Sequence, residues 1–148
     1  MKKKWFKILL ILAGIGVVAA VLGYIFIYNK PHPNYEKMNP DFTLTAAVLF
    51  NEYVEDSEAA GLEYNGKMVA VEGEVTLVES VDEQVKAYFV LSEGLFGNEG
   101  IRVTMLENHS GPLLDMPPGS LMSIKGYVTG YNGTDVIMEH GSLMHSYQ

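Results

Sequence analysis

The chain has 148 residues, 18 acidic and 10 basic side chains, a formal charge of −8 and no cysteine. Without a thiol, disulfides, thiolate catalysis and lipid attachment through an N-terminal cysteine are all excluded. Residues 31–148 hold five bases against all 18 acids, a formal charge of −13; such a segment repels phosphate backbones, which are met by clustered Lys and Arg.

The other five bases, Lys2, Lys3, Lys4, Lys7 and Lys30, flank an apolar run over residues 8–28 that no charge interrupts. At 1.5 Å per residue that run gives a helix of roughly 31 Å, about one hydrocarbon thickness. Trp5 and Phe6 at one end and Tyr24 and Tyr28 at the other suit the two interfaces, and the lysine cluster is expected to stay in the cytoplasm. A cleaved signal peptide normally has a shorter apolar region and a small-x-small site, so the segment reads as an uncleaved anchor. Gly16 with Ala20, and Ala19 with Gly23, have the small-xxx-small spacing that lets helices approach.

Residues 29–42 contain three prolines and read as a stiff linker. Thr45 is placed to cap a helix over residues 46–56, with Val48, Leu49 and Tyr53 on its apolar face and Ala46 and Phe50 beside them. Residues 57–64 add a further turn, and Asn65-Gly66 leads into the first strand. From Lys67 the hydrophobic period becomes two: Val69, Val71, Val75 and Leu77 alternate with polar or small residues, and Gly73 marks a bend. Further strands are expected over 85–91, 101–105, 121–128 and 135–143, with loops over 92–100 and 107–120; the second is too rich in proline for more than a single helical turn. VAVEGEV (69–75) and MSIKGYV (122–128) share one pattern, two long strands each bent at a glycine. The expected fold is all-β: a five-stranded OB-fold Greek-key barrel preceded by a short α-helix, behind a transmembrane helix. The boundaries are 1–28 for the basic start and anchor, 29–42 for the linker and 43–148 for the helix and barrel.

An OB barrel presents its second and third strands to ligands. If Ala87, Phe89 and Leu91 point inward, Lys86 and Tyr88 point outward, beside Arg102 and Thr104 on the next strand. With Tyr127 and Tyr131 at the end of the fourth strand, Lys86, Tyr88, Arg102, Tyr127 and Tyr131 are the candidate ligand face. Leu95 and Phe96 form an apolar pair in a glycine-rich loop, expected to tuck against the barrel end. His32, His109, His140 and His145 have no zinc-ligand spacing, so no metal site is expected. No nucleophile elbow, triad order or phosphate loop occurs, and Glu72 and Glu74 read as solubilising carboxylates, so no catalytic residue and no cofactor is expected. Asn108 and Asn132 open formal glycosylation sequons.

Several stretches carry a resemblance: YNKPH (28–32), LTAAVLFNEY (44–53), YNGKMVAVEGEV (64–75), PPGSLMSIKGYVTGY (117–131) and DVIM (135–138). Together they resemble the tRNA_anti-like OB-fold group of small membrane-attached proteins, frequent in Bacteroidetes. The resemblance implies an OB barrel preceded by a helix and carries no catalytic or binding residues with it. Relatives often have cysteines near the start of strand three and in strand five, where this chain has Val103-Thr104 and Gly141. The resulting expectation is a non-catalytic binding module on the bacterial inner membrane, single-pass, with the N-terminus cytoplasmic and the C-terminal domain periplasmic. Its partner would be an envelope protein, a peptide or a small molecule. Nucleic acid is disfavoured by charge; nucleic-acid binding and an unrecognised enzyme are the alternatives.

Overall fold

The computed structural model describes residues 2–29 and 34–144. The chain divides into two compact units, Met1–Pro33 and Asn34–Gln148. The first contains helix α1 (Lys2–Tyr28), none of whose side chains is buried. It is long and apolar enough to cross a membrane. Tyr24 and Tyr28, one turn apart, stack with ring centroids 4.4 Å apart, as i and i+4 side chains on a helix can.

The second unit begins with residues 34–41, which fall inside the stretch read as a linker and lie against the sheet. The Asp41 amide donates to the Met68 carbonyl at 2.7 Å, and the Met68 amide donates to Asp41 Oδ2 at 3.0 Å. Strand β1 (Phe42–Thr45) then pairs parallel with β2 (Met68–Val75). Thr45 ends β1 and caps α2 (Ala46–Glu55): its hydroxyl accepts from the Val48 amide at 3.3 Å, satisfying one of the donors a helix start leaves free. Asp56 does the same for α3 (Ser57–Tyr64), accepting from the Ala59 amide at 3.0 Å. The buried stripe of α2 is Ala46, Leu49, Phe50 and Tyr53, a regular i, i+3, i+4, i+7 face. Val48, assigned to that face from sequence, is exposed instead.

The remaining strands are β3 (Leu77–Val81), β4 (Gln84–Gly94), β5 (Gly97–Met105), β6 (Ser120–Tyr131) and β7 (Asp135–Met144). They form one seven-stranded sheet in the order β1-β2-β6-β7-β5-β4-β3. The ladder runs from β1 to β3 without closing, so the expected five-stranded barrel is corrected to seven strands in an open order. Two features cause the difference. One is β1. The other is a break at Thr76 that cuts the expected first strand into β2, which pairs with β6, and β3, which pairs with β4. The Thr76 amide and hydroxyl both donate to the Tyr88 carbonyl, at 3.0 and 3.2 Å; the hydroxyl also accepts from the Val90 amide. Gly73 does not bend the ladder, because the β2–β6 register is continuous through it. It makes room instead: a Cβ there would lie 3.1 Å from the Ala46 side chain and 3.2 Å from Phe89.

Residues 92–100, expected to be a loop, extend β4 and β5 into a long hairpin. At its tip Leu95 and Phe96 are 98% and 92% exposed, so they do not tuck against the domain. Residues 107–114 form α4 (Glu107–Leu114) despite Pro112, more helix than the single turn expected. Leu113 anchors it, fully buried in the core. That core gathers Leu49, Phe50 and Tyr53 of α2 with Val69, Val71, Phe89, Ile101, Val103, Ile124 and Met138 of the sheet.

Candidate functional site

On the face of β4 and β5 opposite the core, alternation brings Lys86, Tyr88 and Arg102 together. Tyr88 stands directly opposite Arg102, and Lys86 opposite Thr104. On the other side of β4, Lys86 faces Glu79 of β3, and the Tyr88 hydroxyl donates to Glu79 Oε2 at 3.0 Å. Tyr88 and Arg102 are both half-buried. Partial burial, then the hydrogen bond and charge of Glu79, push the Tyr88 phenol above its ordinary value of 10.0, with Arg102 acting the other way. The result is a phenol fixed by Glu79 and set across the strands from a guanidinium, with Lys86 on the same face.

Tyr127 and Tyr131 stand apart from this trio, on β6, with β7 between. Tyr127 pairs with Glu139 of β7, and its ring meets those of Tyr35 and His140 edge-on at 5.8 and 6.4 Å. Tyr131 packs against Tyr53 at 5.8 Å between ring centroids and donates its hydroxyl to the Gly133 carbonyl at 3.0 Å. Desolvation, then Glu99 and Asp135, raise its phenol pKa.

Sequence reasoning missed Glu79, whose place follows from the alternation of residues 77–81. It also missed a set of contacts made by residues 34–38. Tyr35 stacks flat on His140, centroids 3.9 Å apart and planes 2° from parallel. Glu36 receives His109 Nε2 at 2.9 Å and Asn108 Nδ2 at 3.2 Å. The two hydrogen bonds, His109 first, hold the Glu36 carboxyl below its ordinary value of 4.5. Because the Leu143 amide donates to His109 Nδ1 at 3.2 Å, the imidazole proton sits on Nε2. Lys125 is 7% exposed, and its ammonium donates to the carbonyls of Glu36 and Met38 at 2.7 and 2.6 Å.

His140 owes its position to a bulge. Val103 pairs with Met138 and Met105 with Gly141, so Thr104 faces both Glu139 and His140. His140 takes φ +54° there, a region L-residues seldom occupy. Beside it a polar groove of about 550 Å³ is lined by Asp82, Glu83, Thr104, Glu107, Glu139 and His140, among others. Its four carboxylates repel anions. Among the described residues no three His, Asp or Glu side chains gather to hold a metal ion. His32 and His145 lie outside the described residues.

Fold and surface together define an OB-like β domain behind an N-terminal apolar helix. The chain belongs to the tRNA_anti-like family, whose model matches residues 1–142. No match is found among curated proteins. Among solved structures, the chain is similar to a putative nucleic acid-binding lipoprotein from Klebsiella pneumoniae, 14% identical, with a TM-score of 0.53 over 78% of this chain and 100% of that one. It is also similar to a putative aspartyl-tRNA synthetase from Leishmania major (10% identical, TM-score 0.44, 84% of this chain and 25% of that one). An asparaginyl-tRNA synthetase from Pyrococcus horikoshii is 17% identical, with a TM-score of 0.38 over 57% of this chain and 20% of that one.

Proposed function

We propose that the protein is a membrane-anchored, non-catalytic OB-fold binding module whose ligand face is the outer surface of β4 and β5. In this reading α1 spans the bacterial inner membrane with its lysines in the cytoplasm, and the domain works in the periplasm. The sheet is then an open, OB-like one whose first strand is split at Thr76: β2 and β3 are successive pieces of one strand, joined through its two halves to β6 and β4. The observation that carries the proposal is the cross-strand pair of Tyr88 and Arg102, with the phenol fixed by Glu79. Lys86 adds the second cation, and Tyr127 and Tyr131 belong to the flank beyond β7. The ligand class is a peptide or small molecule offering one planar or anionic group. A polyanion would meet a domain of formal charge −13, which lowers its local concentration.

Nucleic-acid binding is the second reading. It draws on the similarity to the putative nucleic acid-binding lipoprotein of Klebsiella pneumoniae. The two readings separate on the full chain in detergent micelles. Displayed random peptides are panned against the wild type and the Tyr88→Ala/Arg102→Ala variant, and a short single-stranded oligonucleotide is titrated at low salt, where phosphate contacts are strongest. Peptides enriched on the wild type and lost on the variant support the proposal. Equal enrichment on both discards this face, and saturable oligonucleotide binding replaces the proposal with the second reading.

A further inference from the structure

We infer that the surface beneath residues 34–38 is a second, separate recognition site: a bed for a peptide turn bearing an aromatic residue followed by a carboxylate. The chain's own Tyr35-Glu36 pair occupies it in this structure, and a partner protein's segment of the same chemistry takes its place. The bed has three subsites within four residues of strap. His140 stacks flat on the Tyr35 ring, and Tyr127 meets both rings edge-on from beside the stack. Asn108 and His109 converge on the two oxygens of the Glu36 carboxylate, and the His109 ring is already set for this by the Leu143 amide. Lys125 reads main chain: among the described residues, the acceptors of its buried ammonium are the carbonyls of Glu36 and Met38.

This donor set fixes the class of occupant. A buried ammonium left without acceptors is strongly unfavourable, so whatever displaces the strap must bring carbonyls to the same place. A peptide turn does so, as residues 34–37 do with the Lys37 amide donating to the Asn34 carbonyl at 3.2 Å; an isolated ring does not. The strap itself lies on the surface. The Glu36 side chain is 48% exposed, and Lys37, Met38 and Asn39 are exposed as well. It is held by a ring, a carboxylate and two carbonyls, the parts of a ligand, while the core proper lies on the other side of the sheet. Only Tyr127 is shared with the flank of the proposed ligand face, and neither Tyr88 nor Arg102 touches the bed, so the inference stands or falls apart from the proposal above.

The test uses the full chain in micelles with Tyr35→Ala/Glu36→Ala, and a labelled peptide of sequence Asn-Tyr-Glu-Lys-Met-Asn as the probe, read by fluorescence anisotropy. The expected result is saturable binding to the double variant. It should weaken at least about tenfold on adding His140→Ala, on replacing the peptide's Tyr or Glu by Ala, or in the wild type, where the tethered strap competes at high effective concentration. Absence of saturable binding to a double variant that keeps its β-sheet circular dichroism overturns the inference. Loss of that spectrum in the double variant overturns it too, because the strap is then part of the core. If two differently tagged wild-type chains co-purify and the pairing is lost with Tyr35→Ala/Glu36→Ala, the occupant is a second copy's strap and the assignment to a partner protein is refuted.

Discussion

Replacing Lys125 with Met removes the ammonium that ties residues 36–38 to β6 while keeping the length of the side chain. Hydrogen bonds from a charged donor are each worth about 1.5–3 kcal/mol, and Lys125 makes two. Two effects reduce their sum. The released carbonyls belong to the exposed residues Glu36 and Met38 and regain water, and a buried methionine avoids the desolvation an ammonium incurs. The net cost is therefore about 1–3 kcal/mol, or roughly 5–15 °C in Tm for a domain of this size. Thermal unfolding followed by circular dichroism measures that loss. The upfield shift of the Tyr35 ring protons, produced by stacking on His140, reports whether the strap has left. An unchanged Tm together with an unchanged Tyr35 shift would show that the lysine does not hold the strap, and the account of the bed would fail with it.

Phe89 is 1% exposed at the centre of the core; Phe89→Ala should cost about 3–5 kcal/mol in chemical denaturation, whereas Phe96→Ser at the exposed hairpin tip should shift stability by less than about 0.5 kcal/mol. Burial raises the Tyr53 phenol from 10.0 to about 12. A raised folded-state value means that this contribution is complete below pH 10 and is lost as pH climbs towards 12; the wild type should lose stability over that window, and Tyr53→Phe should flatten the loss.

How much of this was legible in the sequence depended on whether the signal was local. The N-terminal apolar helix was readable because residues 8–28 form one unbroken apolar run. Strands β4 to β7 were readable because their inward residues, such as Ala87, Phe89, Ile101 and Val103, recur at period two, and that alternation also placed Tyr88 beside Arg102. The break at Thr76 left no mark, since no glycine or proline accompanies it. The glycines of SEGLFGNEG masked the continuation of β4 and β5. Tyr127 and Tyr131, four residues apart, should share a face in a regular strand. The register shifts between Lys125 and Tyr127 and between Val128 and Gly130 defeat that counting, and Tyr131 packs on Tyr53 instead. The strap was invisible for a different reason: Glu36 meets its partners 72 and 73 residues away and Lys125 reaches back 89 and 87, distances at which no local pattern survives.

The interruption at Thr76 also divides the route by which the chain folds. Strands β3, β4 and β5 are a continuous meander over residues 77–105, whose pairings close short loops, whereas β2 must find the distant β6, Val75 meeting Ser120 and Met68 meeting Tyr127. Loop closure makes the nearby pairings fast and the distant one slow. The meander is thus the natural nucleus, and β2 is the last seam to be stitched. Substitutions in β4 or β5 should retard refolding, while those in β2 should chiefly hasten unfolding.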